Sequence, residues 1–250
     1  MLTAAARNRF TIVLVGARNP QNIGAAARAM QDFGFSDLRV VNEFTPPFEA
    51  AQLEAKSAVG AQNVMANARQ FNTLADAIAD CTLIAGTTAI GGRELTTEII
   101  TLQTAAPQLI NTLGNGESRV ALLFGSEKTG LTNEQLSHCQ LLLTIPLFEP
   151  EAARHLSMNL GQAVAVCLYE LSREGFEHSR ALPEIHKSPA TSEDRERLTQ
   201  QLLSTMEQTG YARRFPANAR EHVVRRLAQQ LGITRDEAAT WLGFLRHLQR

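Results

Sequence analysis

Val120-Ala-Leu-Leu-Phe-Gly-Ser-Glu-Lys-Thr-Gly-Leu-Thr132 contains five consecutive apolar residues that run directly into a loop with two glycines and one acid. A strand with one wet face alternates apolar and polar residues, whereas a strand covered on both faces is apolar throughout. The stretch therefore predicts a strand over 120–124 inside a parallel sheet, breaking into a loop at its carboxyl end. Ligands of open α/β sheets sit beyond that end, which makes this loop a candidate site. Gly125 and Gly130 can bring backbone donors and acceptors close to a ligand without side-chain obstruction. On its own the segment also reads as an ordinary strand-exit turn.

Four further runs, at 10–15, 38–41, 82–85 and 141–145, are likewise apolar rather than alternating, apart from one polar residue in each. Helical patterns lie between them at 23–33, near 50–59, at 73–80 and at 102–113. Gly34 stands where a left-handed cap would end the first, and Thr132 with Gln135 has capping-box spacing. A long helix is expected over 157–172, with Leu160, Val164, Cys167, Leu168 and Leu171 on one side. Residues 1–175 thus read as an α/β domain built on a parallel sheet. Residues 176–192, with Pro183 and Pro189 and little apolar periodicity, read as a linker. Helical patterns follow at 193–208, 217–231 and 235–249, the last opened by Thr234 and Glu237, so residues 193–250 read as a small helical domain.

Composition narrows the class. Hydrophobic residues at 44% and charged residues at 20% suit a globular chain with a full core. No run approaches the roughly 18 apolar residues of a membrane span. The start, MLTAAARNRF, leads straight into a strand, so no secretory signal is expected and the protein is read as cytoplasmic. Cys81, Cys139 and Cys167 are far apart and predict buried thiols, not disulfides or zinc ligands. The net charge of −1 conceals an asymmetry. Residues 1–175 carry 12 Lys and Arg against 16 Asp and Glu, while residues 176–250 carry 12 against 9. Only three of the cations are lysines, and arginine forks favour phosphate.

Two other segments join the loop at 125–130. Asn22-Ile-Gly-Ala-Ala-Ala-Arg28 follows the first strand and opens a helix, where Asn22 can act as N-cap. It lacks the GxGxxG spacing of a nicotinamide site. Ile145-Pro146 leads, through an irregular stretch, to Leu156-Ser-Met-Asn159, which stands at the start of the helix over 157–172. Amides at a helix start are free to bind ligand, although Ser and Asn are also ordinary caps.

Together, in order and in strand–loop–helix context, these segments resemble the three motifs of the TrmH/SpoU branch of the SPOUT methyltransferases. The tail, with LLSTMEQTGY and EAATWLGFLRHLQR, is similar to the C-terminal domain of the TrmJ-type tRNA methyltransferases in that branch. The resemblance implies a C-terminal trefoil knot in the parallel-sheet domain, S-adenosylmethionine as cofactor and a homodimer that builds each active site from two subunits. It implies transfer of a methyl group to a ribose 2′-hydroxyl, of cytidine or uridine in the tRNA anticodon loop (position 32). Ribosomal RNA as substrate, or a non-catalytic RNA-binding protein of this fold, are the alternatives. Carried over by position, the catalytic residues are Arg28, Asn22, Glu127, Ser157 and Asn159. Cofactor contacts fall to Thr87, Thr88 and Ala89, to Gly125 and Ile145, and to Leu156, Ser157 and Met158.

Two departures stand out. The stretch Leu-Phe-Glu-Pro-Glu-Ala-Ala-Arg-His-Leu between Pro146 and Ser157 is longer than the resemblance leads one to expect. Met158 replaces a leucine, a swap that conserves volume. RNA contacts are expected from Arg28 and from the arginine group of the tail: Arg213, Arg214, Arg220, Arg225 and Arg226. No metal and no membrane enter this reading, and His138 and His155 are expected to be loop or surface histidines.

Overall fold

The computed structural model describes residues 2–42, 48–55, 60–89, 98–148, 158–173 and 188–249. The chain alternates helices and strands: α1 (Ala4–Arg7), β1 (Phe10–Val15), α2 (Pro20–Phe33), β2 (Asp37–Val41), α3 (Phe48–Ala55), α4 (Ala61–Ala66), β3 (Arg69–Phe71), α5 (Leu74–Ile78), β4 (Leu83–Thr87) and β5 (Ile99–Thr101). There follow α6 (Leu102–Thr112), β6 (Val120–Phe124), α7 (Asn133–Leu136), β7 (Leu141–Thr144) and α8 (Leu160–Arg173). Four helices close the chain: α9 (Ser192–Gln208), α10 (Tyr211–Arg214), α11 (Glu221–Gln230) and α12 (Arg235–Leu248).

All pairings of the named strands are parallel, in the order β3-β2-β1-β6-β4-β7-β5. The continuous apolar runs are explained by two cores, one on each face. Along β1, Phe10, Ile12 and Leu14 point into the larger core with α2, α6 and α8, while Val13 and Val15 point into the smaller one with α5 and α7. Period-two alternation is present in space but invisible in the sequence, because both faces are dry. The five expected strands form. Two more, β3 and β5, are three-residue edge strands at opposite sides of the sheet, and short edges of this kind limit pairing with other chains.

The first long helix begins earlier than expected. Asn19 is its N-cap, accepting from the Gln21 amide at 3.0 Å, and Pro20 occupies the first turn. Asn22 therefore does not cap α2 and keeps its side chain for other partners. The stretch expected to be helical over 217–231 is also shorter. Arg220 is in extended backbone and α11 runs only from Glu221 to Gln230, while Pro216, which disfavours helical backbone at the residue before it, ends α10 at Phe215 with φ −132° and ψ 66°.

Helices α9 and α12 share a small core of Leu198, Leu242 and Leu245, with Leu202 and Ile233 against it. Their attachment to the α/β part is polar and includes the backbone. The Ser192 and Glu193 amides donate to the carbonyls of Cys81 and Ala79 at 2.7 and 3.1 Å. Arg195 donates to the Thr82 carbonyl at 3.0 Å, and Gln140 donates to Gln229 at 2.7 Å. The three cysteines are buried and free. Among the described residues no helix is long and apolar enough to cross a membrane. Most of the stretch expected to be a linker over 176–192, namely 176–187, lies outside the described residues.

Candidate active site

The sheet topology brings the first two segments together. From β1 the chain passes through α2 to β2 on one side, and from β6 it passes through α7 to β7 on the other. Neighbouring strands whose outgoing connections diverge leave a crevice at their carboxyl ends. Asn22 follows β1 and Glu127 follows β6, so the two flank that crevice.

The loop after β6 is closed on itself. Ser126 and Gly130 form a bridge, the Gly130 amide donates to the Ser126 carbonyl at 2.8 Å, and the hydroxyls of Ser126 and Thr129 lie 2.8 Å apart. A Cβ on Gly125 would lie 2.1 Å from backbone atoms of Gly130 and Leu131, and Gly130 has φ +68°. Both positions require glycine, the first for space and the second for its left-handed backbone. The tight loop presents Glu127 to solvent.

Three residues from the three segments then join in one hydrogen-bonded chain. The Asn22 amide nitrogen donates to Glu127 Oε1 at 2.8 Å, and Asn22 Oδ1 accepts from the Asn159 amide nitrogen at 2.9 Å. Asn159 Oδ1 accepts in turn from the backbone N–H of Gly161 at 2.9 Å and of Gln162 at 3.4 Å, capping α8. A carboxylate is thus linked through two amides to the positive end of a fourteen-residue helix. Close packing of α2 on α8 makes this alignment possible: a Cβ on Gly161 would meet that of Ala25 at 2.6 Å.

Arg28 is half-buried on α2, six residues beyond Asn22 and about 9 Å further along the axis. Ser157 and Leu156 lie outside the described residues, as does His155.

The expected cofactor residues converge as well, because β6, β4 and β7 are adjacent. Thr87, Thr88 and Ala89 close β4, Gly125 follows β6 and Ile145 follows β7. Thr87 Oγ1 donates to the Leu123 carbonyl at 2.9 Å and the Thr88 amide to the Leu143 carbonyl at 2.9 Å, tying the three strand ends together. The Thr87 hydroxyl proton is thereby committed to the fold. Met158 is half-buried just before Asn159.

The tail arginines separate into two kinds. Arg213, Arg214 and Arg220 are exposed and Arg226 is half-buried. Arg225, expected among the RNA contacts, is 4% exposed and bound by three carboxylates. It meets Glu196 at 2.9 Å, Glu221 at 2.5 Å, and Glu134 of α7. Burial works against its charge, yet the hydrogen bonds it donates to Glu196 and Glu134, and their charges, hold its pKa above the ordinary arginine value. Its place is therefore corrected from an RNA contact to a strut between the tail and α7. His138, expected in a loop or at the surface, is also buried. Burial, with the nearby Arg225 charge, pushes its pKa down to about 4.

Sequence reasoning missed Asn19, Gly161 and Glu134. The Asn-Pro pair at 19–20 carries a cap signal of its own, since proline is favoured in the first helical turn. Gly161 and Glu134 act through residues distant in sequence and leave no such mark.

This chain is 33% identical over 237 residues to the tRNA (cytidine/uridine-2'-O-)-methyltransferase TrmJ of Sodalis glossinidius, spanning 91% of this chain and 89% of that one. It is 32% identical over 191 residues to the tRNA (cytidine-2'-O-)-methyltransferase TrmJ of Methanocaldococcus jannaschii, spanning 76% and 77%. Among solved structures, TrmJ from Z. mobilis ZM4 superposes with a TM-score of 0.79 at 31% identity, over 96% of this chain and 99% of that one. Residues 9–169, which contain the crevice and all three segments that meet there, match the SpoU rRNA Methylase family, and the chain belongs to that family.

Proposed function

We propose that the chain is a tRNA methyltransferase that moves a methyl group from S-adenosylmethionine to a ribose 2′-hydroxyl, with cytidine or uridine of the anticodon loop (position 32) as target. The observation that carries this reading is the hydrogen-bonded chain Glu127–Asn22–Asn159. It is assembled from three separate segments at the carboxyl ends of parallel strands. Transfer RNA is favoured over ribosomal RNA because relatives named for tRNA methylation match the tail as well as the sheet. In this reading residues 1–175 are the catalytic domain, knotted near their end, 176–192 the linker and 193–250 the RNA-binding helical domain, and the enzyme works in the cytoplasm. It acts as a homodimer with the α2 helices near the interface. Phe33 and Tyr169 support that face: they form an edge-on pair at 6.2 Å on α2 and α8, with Tyr169 54% exposed.

The residues at the strand ends fit the cofactor. Thr87, Thr88, Ala89, Gly125, Ile145, Leu156, Ser157 and Met158 include no charged side chain, so apolar contacts, hydroxyls and backbone hydrogen bonds are what they offer a nucleoside. When bound, S-adenosylmethionine supplies an electrophilic methyl group on a cationic sulfur. The protein has then to hold the ribose oxygen in line and favour loss of its proton. Glu127, Asn22 and Asn159 fix the crevice and, with Ser157, orient the ribose. Arg28, a guanidinium and a poor base, anchors a neighbouring phosphate and stabilises negative charge developing on the oxygen.

Incubation with methyl-labelled cofactor and either tRNA or ribosomal RNA, followed by mapping of ribose methylation, tests the proposal. Label at a 2′-oxygen of tRNA is expected. Label confined to bases or to ribosomal RNA, or none with folded protein, would overturn it.

A further inference from the structure

The connection between α9 and α11 forms a lobe that the hydrophobic cores do not use. Residues 208–220 contain no Asp or Glu but hold Arg213, Arg214 and Arg220, all exposed. Among the described residues no carboxylate forms an ion pair with any of the three, in contrast to Arg225 with its three acids. Two aromatic rings stand among them. Tyr211 is 39% exposed and Phe215 42% exposed, and neither belongs to the core of Leu198, Leu242 and Leu245. Their centroids lie 4.9 Å apart with planes tilted by 44°, and the Arg214 guanidinium lies 5.3 Å from the Phe215 centroid.

The lobe is built to hold these rings. One helical turn places Tyr211 and Phe215 four residues apart on one side. The Phe215 amide donates to the Tyr211 carbonyl at 2.8 Å, and the Asn218 amide to the Phe215 carbonyl at 3.1 Å. The Asn218 side chain donates to the Tyr211 hydroxyl at 3.2 Å. Exposed apolar rings held among unneutralised arginines are what a base and its phosphates recognise: the ring takes the base face and the fork takes the phosphate oxygens. Bases in a duplex have their faces covered, so a ring that stacks selects nucleotides already unstacked.

We propose that Tyr211 and Phe215, with Arg213 and Arg214, form a binding site for an unpaired nucleotide of RNA, separate from the methylation crevice. The inference rests on the reading of the chain as an RNA methyltransferase and adds which part of the substrate the tail holds: an unstacked base, not duplex backbone.

The test uses full-length protein, an unstructured eight-nucleotide uridine RNA and an abasic octamer with the same phosphates. Wild type is expected to bind the base-bearing octamer more tightly, by roughly 5- to 100-fold. Phe215→Leu keeps the apolar bulk and removes the π-face, so it should reduce binding of the base-bearing octamer to the abasic level and leave the abasic affinity unchanged. Phe215→Trp should restore the difference. Arg213→Gln should weaken both octamers and lower the salt slope by about 1. Equal affinity for the two octamers in wild type would overturn the proposal. So would base discrimination that survives in a folded Phe215→Leu protein, or failure of both octamers to bind. Methyl transfer to tRNA by the same preparations separates the two readings. Transfer without base discrimination sinks this site alone, and discrimination without transfer sinks the enzymatic reading alone.

Discussion

Replacing Arg225 by methionine tests whether the tail is braced against α7. The guanidinium sits among Glu196, Glu221 and Glu134, whose side chains are 21%, 53% and 54% exposed. The two half-exposed acids regain water when the arginine is lost, and each contributes little, at most about 1 kcal/mol. Glu196 is less able to do so, and removing one partner of a largely buried pair costs about 3–5 kcal/mol. Allowing for its residual exposure, the loss should be about 3 kcal/mol, a large share of a stability of roughly 5–15 kcal/mol. Glu134→Gln cuts only the arm to α7 and should cost about 1 kcal/mol or less. Urea unfolding at one fixed protein concentration reads both, since any self-association would make stability concentration-dependent. A loss below about 1 kcal/mol for Arg225→Met would refute the strut. If tRNA affinity and its salt slope fell while stability held, Arg225 would be an RNA contact after all.

Four other outcomes follow from the geometry. His138 is neutral in the folded state down to about pH 4 and protonates near 6.5 when unfolded, so its contribution is complete above about pH 6.5 and is lost as pH falls towards 4. Unfolding free energy should drop by up to about 3 kcal/mol across that window, and His138→Gln should flatten the slope in urea titrations at several pH values. Arg28→Ala should abolish methyl transfer yet leave cofactor affinity nearly unchanged by calorimetry, and an equal loss of both would reassign Arg28 to the cofactor. Gly125→Ala should destabilise the fold by several kcal/mol, or prevent folding, because its methyl falls 2.1 Å from backbone that cannot step aside; a soluble variant with wild-type melting would contradict the loop geometry. Asn22→Asp sets a second carboxylate against Glu127, and transfer should fall about 100-fold at neutral pH and recover partly in mild acid, where one of the two is protonated.

The parallel sheet was legible because burial on both faces writes itself as apolar runs without alternation, and the five long strands read cleanly. The edge strands β3 and β5 were not, since Arg69-Gln-Phe71 and Ile99-Ile-Thr101 are strands only because β2 and β7 lie beside them. Motif order named Asn22, Glu127 and Asn159 as candidates but not how they connect. Asn22 was expected to cap its own helix, and only the fold shows that Asn19 does so and frees Asn22 to link Glu127 with Asn159. Local charge pattern misplaced Arg225 for a similar reason. Two of its three acids are 29 and 91 residues away in sequence, so five arginines in one neighbourhood looked equally available.

The backbone bonds from Ser192 and Glu193 to the chain just before β4 have a consequence for how the molecule could be divided. They set the position of α9 by what it leans on and not by the peptide that leads to it. A flexible insert lengthening the chain between α8 and α9 would lower the local concentration of the tail only slowly, roughly as the −3/2 power of its length. Longer tethers should therefore leave α9 docked in the same place. Two separately made fragments that share this contact could in principle find each other and reconstitute one enzyme.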